Sequence, residues 1–317
     1  MRRELGSVAA MAGILVGCQV VALALAPLFA FGGFQAFQDP EDVTNTAVYI
    51  VMILVFTAVI LGLVRYRRQQ IARYVIIGSI FVTLAFILLL PIFFAIDALG
   101  GGAIGLETEA NLATVIAFTV AAGLVYLLVK YPEWYVVDTI GITTAAGVTA
   151  ILGISFGTVP AILLLLGLAV YDAWAVYRTK HMITLADELT SQKLPILLVI
   201  PKKAGYSFRE QKRLKQQIAS GEEREAMFVG LGDVIIPGIL SVSAFTFSAP
   251  SGGSFLGLLS NELTAVGTIL GSLIGFLVLM RFVLKGNPQA GLPLLNGGAV
   301  LGFLLTNFLV YGYLNIF

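Results

Sequence analysis

Two aspartates lie inside long apolar segments of this chain. Asp172 belongs to the run 159–177, and Asp233 belongs to the run 226–247. Both runs are long enough and apolar enough to cross a lipid bilayer. A carboxyl group inside a bilayer is costly unless it is paired, protonated or hydrated, and it therefore marks a candidate functional site. These two aspartates are the first residues of the sequence to which chemistry can be assigned.

The positions of the two aspartates allow their carboxyl groups to meet. Asp172 precedes Arg178 by six residues, and Asp233 follows Glu225 by eight residues. At the helical rise these positions lie about 9 and 12 Å inside the same membrane boundary. Because consecutive spans run antiparallel, we expect the two carboxyl groups to pair at similar depth. Two carboxyl groups in contact share one proton and titrate as a unit.

A proton-sharing pair of carboxyl groups is the chemistry of aspartic proteases. One carboxylate takes a proton from water as the water attacks a peptide carbonyl, and the other carboxyl group protonates the carbonyl oxygen. This reaction needs no metal, nucleophilic side chain or cofactor, and we expect none. His181 is the only histidine and Cys18 the only cysteine. A lone histidine excludes a His-rich metal site, and a lone cysteine excludes an intramolecular disulfide.

The composition indicates an integral membrane protein. Hydrophobic residues make up 58% of the 317 residues and charged residues only 12%, about half the charged fraction of a soluble domain. We therefore expect a multi-pass protein of the cell membrane, whose surroundings are the lipid bilayer and which has no nucleic-acid partner. The basic start followed by a long apolar run is interpreted as a first membrane helix rather than a removed signal peptide.

Nine segments qualify as membrane helices, and charge orients them. With the N-terminus in the cytoplasm and the C-terminus outside, all 19 lysines and arginines fall on the cytoplasmic side, as insertion requires. The predicted fold class is an all-α membrane protein, with residues 1–177 as a six-helix part, 178–225 as a cytoplasmic loop and 226–317 as a three-helix part. The predicted spans are 10–31, 47–64, 74–96, 111–129, 134–156, 159–177, 226–247, 263–283 and 292–315.

Three features outside the Asp172 and Asp233 pair can also be interpreted. The apolar run 194–201 is too short to span a membrane. It either offers a strand edge to an unwound substrate or lies as an interfacial loop against the helices. Gly267, Gly271 and Gly275 form a small-residue stripe that favours close helix packing within the monomer. Asp138 is interpreted as a boundary residue in partial water rather than as a third catalytic carboxyl group.

Three motifs resemble those of a known family. Tyr171-Asp172 and Gly230-Leu231-Gly232-Asp233 resemble the signature motifs of the presenilin and signal peptide peptidase family of intramembrane aspartyl proteases. Pro293-Leu294-Leu295 resembles the Pro-Ala-Leu motif of that family, with Leu294 in place of the alanine. The resemblance covers essentially the whole chain and implies a presenilin-like fold, with Asp172 and Asp233 as the catalytic residues.

The resemblance also implies supporting roles for the flanking residues. The Pro-Leu-Leu motif would shape the active site and hold substrate, and Tyr171 would support the aspartate pair, although it could equally be an ordinary membrane aromatic. From the residues themselves, Gly230 and Gly232 would loosen the seventh helix and admit backbone close to Asp233, or serve helix packing. Pro293 would free backbone groups at the start of the ninth helix.

The alternative function is a proton- or cation-coupled transporter that uses the two buried aspartates. Transporters often contain inverted repeats, and none is visible here. The cytoplasmic placement of the long loop resembles presenilin and implies substrates that are single membrane helices with their N-termini outside. The compact loops resemble an archaeal presenilin homologue that acts without an obligatory partner subunit, and homo-oligomerisation stays open.

Overall fold

The computed structural model describes residues 2–66, 69–100, 105–179, 197–202, 205–210, 226–250, 257–284 and 289–314. Within these ranges the chain forms nine α-helices and one two-stranded sheet of β1 (Leu197–Pro201) and β2 (Ala226–Gly230). The helices are α1 (Arg2–Phe31), α2 (Thr44–Arg65), α3 (Gln69–Gly100), α4 (Leu106–Lys130), α5 (Trp134–Ser155), α6 (Thr158–Trp174), α7 (Leu231–Phe247), α8 (Ser260–Leu284) and α9 (Leu292–Tyr311).

The helices are those of a multi-pass integral membrane protein. In the described part of the chain, seven helices are long and apolar enough to cross a membrane. Two shorter apolar helices, Thr44–Ile60 and Leu231–Phe247, coincide with the remaining two predicted spans. The count of nine spans and the orientation of the termini stay predictions.

The prediction of a continuous seventh helix over 226–247 was wrong. Ala226–Gly230 is a β-strand, and α7 begins only at Leu231. A short apolar run cannot be assigned to helix or strand from its hydrophobicity alone. Residues 226–230 form a strand because β1 supplies the hydrogen bonds that an extended backbone needs inside a membrane protein.

The two strands pair antiparallel in a fixed register. Leu197 lies opposite Gly230, and Pro201 lies opposite Ala226. Leu198, Val199 and Ile200, at the centre of β1, are buried among the helices, whereas most of β2 is only partly buried. Of the run 194–201, the structure therefore places the described residues 197–201 in a strand inside the protein rather than in an interfacial loop.

The helices pack around α5, which is buried along most of its length. Its end is joined to α6 by a turn of two residues, so α5 and α6 form a tight hairpin. A buried polar cluster ties three other helices together at Gln19 of α1. Gln19 donates to the Ser272 hydroxyl at 3.1 Å and accepts from the Ser241 hydroxyl at 2.7 Å. Such bonds between membrane helices contribute about 1 kcal/mol each.

The glycine stripe of α8 packs against α9. A Cβ atom at Gly271 would collide with the backbone carbonyl of Gly298 and lie 2.9 Å from the Gly302 Cα atom. A Cβ atom at Gly275 would collide with the carbonyl oxygen of Leu294. The stripe therefore serves helix packing within the chain, and Gly275 lets α8 hold the first turn of α9.

We expect Gly271→Ala to destabilise the protein, because the added methyl group meets backbone that cannot move aside without separating α8 from α9. The expected loss in the free energy of unfolding is about 1–3 kcal/mol, measured by thermal unfolding in detergent. Gly123→Ala is the matched control, since a Cβ atom there meets nothing within 4 Å. Equal melting temperatures for the two variants would contradict the packing.

Candidate active site

Asp172 lies in the last turn of α6. Its side chain is 7% exposed, and its Oδ2 atom accepts a hydrogen bond from the Leu292 N–H at 3.0 Å. The Gly291 N–H also interacts with the same carboxyl group. After Trp174 the chain continues as a π-helical turn, Ala175–Thr179, a departure from α-geometry that is common at functional sites.

Asp233 is the third residue of α7, directly after the sheet. It is partly buried, and its carboxyl group lies close enough to that of Asp172 for the two charges to interact. The structure therefore brings the two predicted aspartates together. Asp233 also lines a small apolar cavity with Leu198, Phe276 and Leu295. A cavity so poor in polar groups gives a water molecule few hydrogen-bond partners. The polar partners of the Asp233 carboxyl group therefore lie on the side that faces Asp172.

The backbone at the start of α9 touches both aspartates. Gly291 precedes the helix and Leu292 is its first residue. While the Leu292 N–H bonds Asp172, a Cβ atom at Gly291 would lie 3.1 Å from Oδ1 of Asp233. The N–H groups of a first helical turn have no partner within the helix and favour a nearby carboxyl group. The backbone of residues 291–292 therefore packs against both carboxyl groups.

Pro293 differs from its expected role. It is the second residue of α9. An N–H group at this position would have no carbonyl partner within the helix, so the proline breaks no helical hydrogen bond and fits the first turn. Leu295 is buried beside Asp233 in the apolar cavity, while Leu294 is partly buried and packs against Gly275. These contacts hold the start of α9 in place.

Gly230 and Gly232 do not lie in the middle of a helix. Gly230 ends β2 in an extended conformation, and a Cβ atom there would lie 3.4 Å from Oδ2 of Asp233. Gly232 is exposed, and a Cβ atom there meets nothing within 4 Å. Leu231 packs into the core beside Leu198. A side chain at Gly230 would therefore be in ordinary contact with Asp233, while Gly232 leaves open space next to it.

Tyr171 lies on the surface rather than between the aspartates. Its side chain is 39% exposed, and its ring is 6.4 Å from the ring of Trp174. Among the described residues no hydrogen bond joins its hydroxyl group to Asp172 or Asp233, so its supporting role stays a prediction.

No cluster of three His, Cys, Asp or Glu side chains in the described ranges could hold a metal ion. His181 lies outside those ranges. The sole cysteine, Cys18, is buried on α1.

Sequence reasoning missed Gly291 and Leu292, which make the direct contacts with the pair. Their contribution comes from backbone atoms, and residue type carries no signal for a backbone hydrogen bond. The only available sign was Pro293, since a proline is typical of the first turn of a helix.

A helical membrane protein that brings two carboxyl groups together in its interior has the arrangement that an intramembrane aspartyl protease requires. Residues 12–312 match the family described as "Signal-peptide peptidase, presenilin aspartyl protease". The chain belongs to this family, as its three motifs suggested.

Solved structures agree with this assignment. Two structures of a presenilin family intramembrane aspartate protease, in the C222 and P2 space groups, are each 36% identical to this chain. Each match covers 95% of the chain and at least 97% of the solved protein, with TM-scores of 0.64 and 0.63. No curated protein matches at a significant level. The transporter alternative receives no support from these comparisons.

We expect Gly291→Ala to lower proteolytic activity about threefold to tenfold, because the added methyl group would make the Asp233 carboxyl group shift by a few tenths of an ångström. Gly291 has φ −77° and ψ −49°, which alanine adopts freely, so the effect is steric pressure on the Asp233 carboxyl group. Cleavage of a membrane substrate by purified protein measures it. Gly297→Ala on the same helix is the control, since its Cβ atom would meet nothing within 4 Å. Equal activity in both variants would contradict a close contact between Gly291 and the Asp233 carboxyl group.

Proposed function

We propose that this protein hydrolyses peptide bonds within single-span membrane helices, with Asp172 and Asp233 as its water-activating pair. The observation that carries the proposal is the interaction of these two carboxyl groups beside the 291–292 backbone. Membership of the aspartyl protease family supports it.

In the proposed mechanism one carboxyl group of the pair is protonated and the other is ionised. The ionised group takes a proton from water while the water oxygen bonds to the peptide carbonyl carbon. The protonated group gives its proton to the carbonyl oxygen, which forms a gem-diol. The C–N bond then breaks as a proton passes to the leaving nitrogen and a gem-diol hydroxyl returns its proton, restoring the starting state of the pair.

A substrate helix must unwind before this chemistry, because its carbonyl groups are engaged in helical hydrogen bonds. Strand addition to an exposed sheet edge would hold the unwound segment. The hypothesis that β1 provides this edge needs correction, since the Val199 N–H is already bonded to Asp138. We assign the edge to β2, which ends at Gly230 beside Asp233.

Alternation along an antiparallel pair identifies the backbone groups of β2 that point away from β1. Because the Val199 N–H points away from β2, Val199 and its partner Phe228 form a pair without mutual hydrogen bonds. The Phe228 N–H and C=O therefore point away from β1. The same holds for Ala226 and Gly230, two residues to either side. A substrate strand bonded there would run directly past Asp233.

The proposed topology is nine spans, with the N-terminus cytoplasmic and the C-terminus outside, and with 178–225 joining a six-helix part to a three-helix part. In this arrangement the sheet lies at the cytoplasmic side of the aspartate pair. Substrates would be membrane helices with their N-termini outside. The protein would act in the bilayer without an obligatory partner subunit.

The first test is cleavage of a reconstituted single-span substrate in liposomes. We expect Asp172→Asn and Asp233→Asn each to lower the cleavage rate by about 10²–10⁴-fold, the range of acid–base catalysis. Asp97→Asn, which changes an acid of α3 outside the site, should leave the rate unchanged. Activity that survives either substitution would refute the mechanism. A proton flux that is lost with either aspartate would instead favour transport.

The second test concerns the β2 edge. Phe228→Pro removes the outward N–H while leaving the β1–β2 ladder bonds intact, so we expect kcat/KM to fall about tenfold for a helical substrate. Phe228→Ala removes the ring, which lies 6.3 Å from the Phe208 ring, but keeps the N–H. If Phe228→Pro is no worse than Phe228→Ala, substrate does not pair with β2.

A further inference from the structure

An acid of α5 is unused by the proposed chemistry. Asp138 was expected in partial water at the membrane boundary, but its side chain is only 7% exposed. Its Oδ1 atom accepts a hydrogen bond from the Val199 N–H of β1 at 2.7 Å. A buried carboxyl group is costly unless it is bonded, and the strand supplies this bond.

The bond closes the outer edge of β1. The residues of β1 whose backbone points away from β2 are Leu197, Val199 and Pro201. Asp138 occupies the Val199 N–H, and Pro201 has no N–H to offer. A proline on the edge and a helix that covers the edge are two devices by which proteins prevent a strand edge from pairing with another chain. Both stand on the same edge of the same strand.

A second acid, directly before α5, fixes the chain that follows β1. Glu133 precedes α5, and its carboxyl group accepts from the Ser207 hydroxyl at 2.9 Å and from the Phe208 N–H at 3.1 Å. The buried helix α5 thus holds both β1 and the chain after it. β1 pairs with β2, and β2 leads into α7. The bonds from Asp138 and Glu133 therefore also help to hold Asp233 in position.

We propose that Asp138 is a positioning residue for proteolysis. Its carboxyl group closes the outer edge of β1 and fixes the sheet against α5, so that an unwound substrate adds only to β2, in register with Asp233. This proposal rests on the proposed function, and in particular on strand addition at β2. It assigns Asp138 no direct contact with the reacting atoms.

The role predicts a difference between two kinds of substrate. A membrane helix must be unwound and held by the sheet, whereas a short peptide that is already extended depends on the sheet less. Loss of the Asp138 bond should therefore impair cleavage of the helix more than cleavage of the peptide. It should also spread the cleavage positions, because a sheet that is no longer fixed presents the substrate in more than one register. A merely structural role would impair both substrates equally.

The test compares Asp138→Leu, which removes the acceptor, with Asp138→Asn, whose amide oxygen can still accept the Val199 N–H. For Asp138→Leu we expect kcat/KM on the helical substrate to fall about tenfold, as for one lost hydrogen bond. Its kcat/KM on the short peptide should stay within about threefold, a difference worth less than one such bond. Asp138→Asn should stay close to wild type with both substrates. Thr139→Val, which changes the neighbouring exposed residue of α5, is the matched control.

Binding of a transition-state-analogue inhibitor shows that each variant has folded. If Asp138→Leu does not bind it, the double variant Asp138→Leu/Val199→Pro replaces it, since removal of donor and acceptor together leaves no buried group unpaired. The double variant should show the same substrate difference and the same spread of cleavage positions.

Unchanged cleavage of the helical substrate, or an equal loss with both substrates, would overturn the proposal. So would an Asp138→Asn variant as impaired as Asp138→Leu. Failure of the proposed function gives a different result, because wild type would then not cleave or the Asp172→Asn and Asp233→Asn variants would retain activity.

Discussion

The structure depends on the cost of placing two carboxyl groups inside a membrane protein. Each needs polar partners that lipid cannot supply, and the fold supplies them from backbone at the ends of its elements. The first N–H of α9 bonds Asp172. Asp233 stands in the first turn of α7, where helix N–H groups are free. The pair is thus stabilised where helices begin and end, which is also where backbone is open to a substrate.

The surrounding packing keeps those element ends in place. Gly275 allows α8 to approach the carbonyl oxygen of Leu294, which holds the first turn of α9. Asp138 fixes β1 against α5, and β1 in turn pairs with the strand that leads into α7. Small residues and buried hydrogen bonds therefore set the geometry near the pair together with the apolar contacts of Leu198, Phe276 and Leu295. Membrane interiors favour this solution, since apolar side chains gain little by leaving lipid for protein.

The sequence predicts the helical elements well because a membrane span needs about 20 apolar residues and leaves a strong pattern. The pairing of Asp172 and Asp233 was also predictable, since their depth and the antiparallel order of their helices follow from the chain. The strand at Ala226–Gly230 was not predictable, because its apolar residues suit a buried helix equally well. The roles of Gly291 and Leu292 were hidden for a different reason, as they act through backbone atoms. Asp138 was misplaced because its partner, Val199, is distant in sequence.

The central claim is that Asp172 and Asp233 act as one unit. A double-mutant cycle on the affinity of a hydroxyl-containing transition-state-analogue inhibitor, measured calorimetrically, tests this claim most directly. The account predicts that Asp172→Asn and Asp233→Asn each weaken inhibitor binding strongly. The affinity of the double variant should equal that of whichever single variant binds the inhibitor less tightly. Losses that add in the double variant would show two independent carboxyl groups and would contradict the account.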